Sequence, residues 1–66
     1  MEVKINGESR SIQAGISIQN LLLELGIKLQ SVVVEHNKQI LDREKWKDTI
    51  LKDQDCLEIV RFVGGG

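Results

Sequence analysis

The chain closes on Gly64, Gly65 and Gly66, directly after the apolar, β-branched run Cys56-Leu57-Glu58-Ile59-Val60-Arg61-Phe62-Val63. Glycine holds a defined conformation least readily, so these three predict a flexible strip, roughly 10 Å long when fully extended. Without side chains, the strip offers one reactive group, the α-carboxylate of Gly66. Such a tail suits threading down a narrow channel, where its carboxylate meets another protein's active site. A frayed terminus is the ordinary alternative for glycines in this place. The chain has nothing with which to activate that carboxylate itself. At neutral pH the group is anionic, with a reference pKa of roughly 3.3–3.7, and a poor electrophile. No G-x-x-x-x-G-K-[ST] phosphate loop and no Ser/His/Asp arrangement occurs. One cysteine and one histidine make neither a zinc site nor an internal disulfide. The sequence therefore predicts no catalytic residue and no metal site. Its chemistry is that of a substrate, worked on by a partner.

Sixty-six residues make one small domain, placed at 1–63, with the glycine tail at 64–66. Without disulfides or metal, its stability rests on one apolar core. Nine basic residues against ten acidic ones leave no electrostatic footprint for nucleic acid and no polybasic membrane patch. The longest apolar runs, Leu21–Leu23 and Val32–Val34, are far too short for a bilayer span or a signal peptide. A lone thiol fits a reducing, cytoplasmic setting. Trp46 and Phe62 are too few aromatics for a base-stacking platform.

The elements that must carry the tail follow from periodicity. Met1 to Ile5 alternates apolar and charged residues, as a strand with one buried face does. Asn6-Gly7 suits a two-residue type I′ turn. The return strand, Glu8 to Gln13, is polar apart from Ile12 and should lie at an edge. Ala14-Gly15-Ile16 breaks it. Ser17 then caps a helix over about Ile18 to Leu25, with Ile18, Leu21, Leu22 and Leu25 forming one apolar stripe and Gly26 ending it. Ser31 to His36, apolar at each of Val32-Val33-Val34, reads as an interior strand. Asn37-Lys38 is a turn, Gln39-Ile40-Leu41 a short return strand, and Asp42 to Trp46 a single helical turn with Asp42 as its cap. After Thr49-Ile50-Leu51 comes a polar turn, Lys52-Asp53-Gln54-Asp55, and then the final strand, Cys56 to Val63. A mixed four- or five-stranded α+β sheet with the helix across one face buries the stripe most simply.

That order of elements, ending in a diglycine, resembles the ubiquitin-like β-grasp fold. The closer similarity is to the ThiS family of sulfur carriers of thiamine (thiazole) biosynthesis, and it covers essentially the whole chain. It is carried by Ala14-Gly15-Ile16-Ser17 at the helix start and by the segment Val32-Val33-Val34-Glu35-His36-Asn37 through Ile40-Leu41-Asp42-Arg43 to Trp46. Asp53-Gln54-Asp55, Leu57-Glu58-Ile59-Val60 and Gly65-Gly66 complete it. Three positions depart from the family pattern: Asp42 stands where proline is usual, Lys38 where glycine is common, and Gln54 where a D-G-D turn has glycine. These bear on turn rigidity and stability, not on the tail's chemistry.

The resemblance implies a protein cosubstrate and not an enzyme. It implies that an E1-like adenylating enzyme (ThiF), using ATP and magnesium, adenylates Gly66. Sulfur from a cysteine desulfurase, delivered as a persulfide, then gives a C-terminal thiocarboxylate, which donates sulfur to thiazole synthase (ThiG). Gly65 and Gly64 would thread into the partners' sites, where a Cβ would meet the channel wall. A molybdopterin-synthase small-subunit type of carrier and a ubiquitin-like modifier share the tail chemistry. A β-grasp interaction module with an inert tail is the third reading.

Other residues invite roles. Val60 and Phe62 alternate with Leu57 and Ile59, so they should face away from the helix and form a docking patch near the tail. The Asp42–Lys52 segment could instead cover that face. Cys56 is expected to be a small core residue and not a persulfide carrier. His36 is expected at the surface, Trp46 as a lid on the core, and Arg43 and Glu44 in solvated charge pairs.

Overall fold

The computed structural model describes residues Met1–Phe62. Its first strands, β1 (Glu2–Ile5) and β2 (Glu8–Ser11), form an antiparallel hairpin. In their turn Asn6 and Gly7 have φ of 51° and 86°, the paired positive values of a type I′ connection. Val3 and Ile5 are buried, and every residue of β2 is exposed. A polar strand of that kind tolerates an open edge, and β2 occupies one.

The helix α1 spans Ile18–Glu24. Ser17 Oγ accepts a hydrogen bond from the Asn20 N–H at 3.1 Å, a cap of the kind that contributes about 1 kcal/mol. At the other end Gly26 has φ 75°. Its N–H donates to the Leu23 carbonyl, and that of Ile27 to the Leu22 carbonyl, each at 3.0 Å. This is the Schellman arrangement, which satisfies the last carbonyls and turns Ile27 back onto the core.

A 3₁₀ turn at Leu29–Ser31 leads into β3 (Val32–His36), which pairs with β4 (Gln39–Leu41) across a second two-residue turn. Another 3₁₀ turn, Arg43–Lys45, precedes β5 (Cys56–Arg61). The sheet has five strands in the order β2-β1-β5-β3-β4. β5 lies at its centre, parallel to β1 and antiparallel to β3.

On the inner face Val3, Ile5, Val32, Val34 and Leu57 meet Ile18, Leu21 and Leu22 of α1. Trp46 is the largest fully buried side chain, at 1 % exposure, and its indole Nε1 donates to the Leu41 carbonyl at 3.1 Å. It is therefore a central part of the core and not a lid, because the 3₁₀ turn aims the ring inward. Arg43 lies over that ring, 5.7 Å from its centroid, in place of the expected solvated charge pair. Asp42 holds the N-cap position of that turn, but its side chain makes no capping bond. Its backbone carbonyl accepts from Lys45 instead.

Candidate functional site

The strand that leads to the C-terminus is held by the turns on either side of it. Asn6 and Asn37 each open a two-residue turn, and both have φ 51°. Left-handed backbone of this sort is tolerated best by asparagine among side-chain-bearing residues. Each amide then reaches the backbone of β5. Asn6 Oδ1 accepts from the Ile59 N–H at 2.7 Å, and its Nδ2 donates to the Ile59 carbonyl at 3.2 Å. Asn37 Oδ1 accepts from the Cys56 N–H at 2.9 Å, while its own N–H donates to the Cys56 carbonyl at 2.8 Å. The side chains thus continue the ladder where β1 and β3 give out. At the far end the Phe62 N–H donates to the Ser31 carbonyl at 3.0 Å. The strand is fixed up to the last described residue.

Asp55, in the turn before β5, is buried. Its carboxylate accepts from the Lys52 N–H at 2.9 Å and from Asn37 Nδ2 at 3.1 Å, and it pairs with His36 Nε2 at 2.9 Å. Burial pushes this carboxyl up, but the hydrogen bonds from His36, Lys52 and Asn37 outweigh it and leave the group below its ordinary value. His36 is consequently an inward partner of Asp55, with its side chain 22 % exposed, and not a free surface residue. The polar turn conceals this buried cluster from a reading by composition. Extending the inward alternation of Leu57 and Ile59 back by two residues does point Asp55 inside.

The same alternation corrects Cys56. It is exposed on the outer face, one residue out of phase with the buried Leu57, and is no core residue. Val60 and Phe62 do face outward, at 55 % and 50 % exposure. The Asp42–Lys52 segment does not cover them, because its Trp46 is drawn to the inner side. Ile40, exposed at 70 %, joins them on the outer face. Periodicity in so short a strand did not single it out. A shallow groove between β3 and the 3₁₀ turn is lined by Val33, Ile40, Asp42, Arg43 and Phe62. Gly64, Gly65 and Gly66 lie outside the described residues. Among the described residues no group of His, Cys, Asp and Glu side chains could hold a metal ion.

A helix across one face of a five-stranded mixed sheet, with the last strand at its centre, defines a ubiquitin-like β-grasp protein. Comparison with known proteins narrows the class. Residues 3–66 match the ThiS family, and the chain belongs to that family. It is 44 % identical over 50 residues to the sulfur carrier protein ThiS of Bacillus subtilis, covering 76 % of each chain. A crystal structure of a ThiS thiamine biosynthesis protein from Geobacter metallireducens superposes with a TM-score of 0.87 at 32 % identity, over 100 % of both chains. The whole chain also aligns, at 36 % identity over 66 residues, with 20 % of the thiazole synthase of Magnetococcus marinus. The chain thus spans only a fifth of the length of that relative. Among the described residues no helix is long and apolar enough to cross a membrane.

Proposed function

We propose that this protein is the sulfur carrier of thiamine biosynthesis and that Gly66 bears the sulfur. The supporting observation is the family match, which runs unbroken from the fold through Gly66. In this reading the Gly66 carboxylate attacks the α-phosphorus of ATP on an E1-like adenylating enzyme (ThiF) that also binds magnesium, and pyrophosphate leaves. A persulfide sulfur, drawn from a cysteine desulfurase, then attacks the acyl carbon and AMP departs. A thiol cleaves the remaining S–S bond, leaving the thiocarboxylate. That group is a nucleophilic sulfur donor for thiazole synthase (ThiG), a partnership favoured by the ThiS-like region within a thiazole synthase. The carrier supplies no catalytic group and binds no cofactor of its own.

Gly64 and Gly65 serve as the thread. Ordering such a strip in a channel costs roughly 1–2 kcal/mol per residue, which favours release and so suits a carrier that passes between enzymes. Val60 and Phe62 dock against the partner beside the threaded tail. Intact-mass analysis after incubation with ATP, the cognate E1-like enzyme and a sulfide source tests the reading. A C-terminal fragment in which sulfur has replaced oxygen is the expected result, and deletion of Gly66 should abolish it. An interaction module with an inert tail would bind its partner equally well without Gly66 and never change mass.

A further inference from the structure

On the outer face Glu35 of β3 stands directly opposite Glu58 of β5. Like charges so placed disfavour the strand pairing. Neither glutamate is in an ion pair: among the described residues the sole ion pair is His36–Asp55, on the other side of the sheet. Lys4, the nearest outward cation by register, lies level with Cys56 and forms no ion pair with either carboxylate. On the β4 side and toward the C-terminus of β5 the neighbours of the two glutamates are apolar. Ile40 faces Glu35 from β4, and the next rung toward the C-terminus of β5 is the outward pair Val33–Val60.

We propose that this acidic pair is a recognition element. It receives a guanidinium or ammonium group that the adenylating partner presents beside an apolar side chain seated on Val60 and Ile40. The inference rests on the carrier function proposed above. The occupant follows from reach. Four residues follow Phe62, and fully extended they span at most about 14 Å. Any enzyme that acts on the Gly66 carboxylate must therefore close on the Phe62 end of β5, and Glu58 lies four positions back along that strand, on the same outer face as Val60 and Phe62. Closing the apolar rim around the carboxylates removes water from them, which strengthens their attraction to a cation. The repulsion that weakens the free protein is relieved in the complex. Two acidic side chains that oppose folding and favour docking give the inference its signature, since stability and binding should move in opposite directions.

The test compares the wild-type chain with the Glu35→Gln/Glu58→Gln double variant in pyrophosphate release by the cognate adenylating enzyme. The expected result is a KM for the carrier raised about tenfold with kcat within about twofold. The wild-type KM should rise with ionic strength and that of the variant should not. The free variant should melt about 1–5 °C higher than the wild type. An unchanged KM, or an unchanged salt dependence, overturns the acidic-pair inference while leaving the carrier function standing. A variant that melts lower also overturns it, because the glutamates would then serve folding. Dimerisation of the wild type that Ile40→Lys reverses would assign the face to a second copy and overturn it too. A wild-type chain that is never adenylated removes the carrier function, and the inference falls with it.

Discussion

The two faces of the sheet are built from the same strands but finished differently. On the inner face Val34 and Leu57 are fully buried against α1 and Trp46, and among the described residues no buried side-chain polar atom lacks a hydrogen-bond partner. On the outer face Val60 and Ile40 are left more than half exposed, beside two carboxylates set against each other. Folding alone explains the first face. It gives no reason for the second, where threonines or a Glu–Lys pair would serve stability better. The inner face is where the fold is maintained, and the outer face is where we place partner recognition. Substitutions should respect that division.

The largest loss is expected at Trp46. Trp46→Ala removes the biggest side chain of the core and its bond to the Leu41 carbonyl, at a cost of about 3–5 kcal/mol. In a domain of this size that approaches the whole stability. Far-UV circular dichroism should show a largely unfolded chain at room temperature. A cooperative melt near that of the wild type would place the core elsewhere.

Asp55 comes next. Asp55→Asn keeps the shape but loses the charge that accepts from Lys52, Asn37 and His36, costing about 1.5–3 kcal/mol at neutral pH. The folded carboxyl lies below its ordinary value, so folding favours its ionised form. That contribution is complete above the unfolded value of about 3.9 and fades as pH falls through the folded one. Asp53 acts in the same direction, through the N–H of Glu2 and then the Gln54 amide. Denaturant titrations of the wild type should therefore show stability dropping on acidification below about pH 4. The drop should be shallower in Asp55→Asn. An equal acid limb in both would deny Asp55 its part.

These residues also show what a single sequence discloses. The hairpin, the helix with its Ser17 cap and Gly26 stop, and the short β3–β4 turn were legible because each is written in local residue types. So was the outward orientation of Val60 and Phe62, which needs only the period of a strand. Cys56 and Asp55 obey the same period, but a lone cysteine looked like core and Asp55 read only as part of a polar turn. Their true places are decided by partners far along the chain, since Asp55 meets His36 nineteen positions away. The clamps of Asn6 and Asn37 on β5 were likewise hidden. Asparagine in a turn announces its backbone, not the distant strand its amide will bond. The opposition of Glu35 and Glu58 needs the register of two strands, which only the fold supplies.

Gln54 offers a gain in place of a loss. It has φ 72°, a left-handed conformation that costs a side-chain-bearing residue about 1–2 kcal/mol. Glycine removes that strain but adds freedom to the unfolded chain, worth about 0.5–1 kcal/mol. Gln54→Gly should therefore stabilise by about 0.5–1 kcal/mol, raising the melting temperature by about 2–8 °C. No change would mean that the turn already relaxes around the glutamine.

The smallest effect, at Val60, is the most discriminating when the same chemical change is also made at Val34 on the opposite face. Val34→Thr and Val60→Thr each replace a methyl by a hydroxyl while keeping the β-branch that suits a strand. Val34 is 0 % exposed, so its new hydroxyl loses water without a designed partner, a penalty of about 1–3 kcal/mol. Val60 is more than half exposed, and its hydroxyl stays hydrated, so the change should lie within about 0.5 kcal/mol. Guanidinium unfolding midpoints of the two variants measure the contrast directly. Adenylation reverses the ranking: once folded, Val34→Thr should be modified like the wild type, whereas Val60→Thr should show a higher KM at unchanged stability. Equal destabilisation by the two would mean that the outer face is as tightly bound to folding as the inner one, and its exposed apolar residues would lose their claim to a partner.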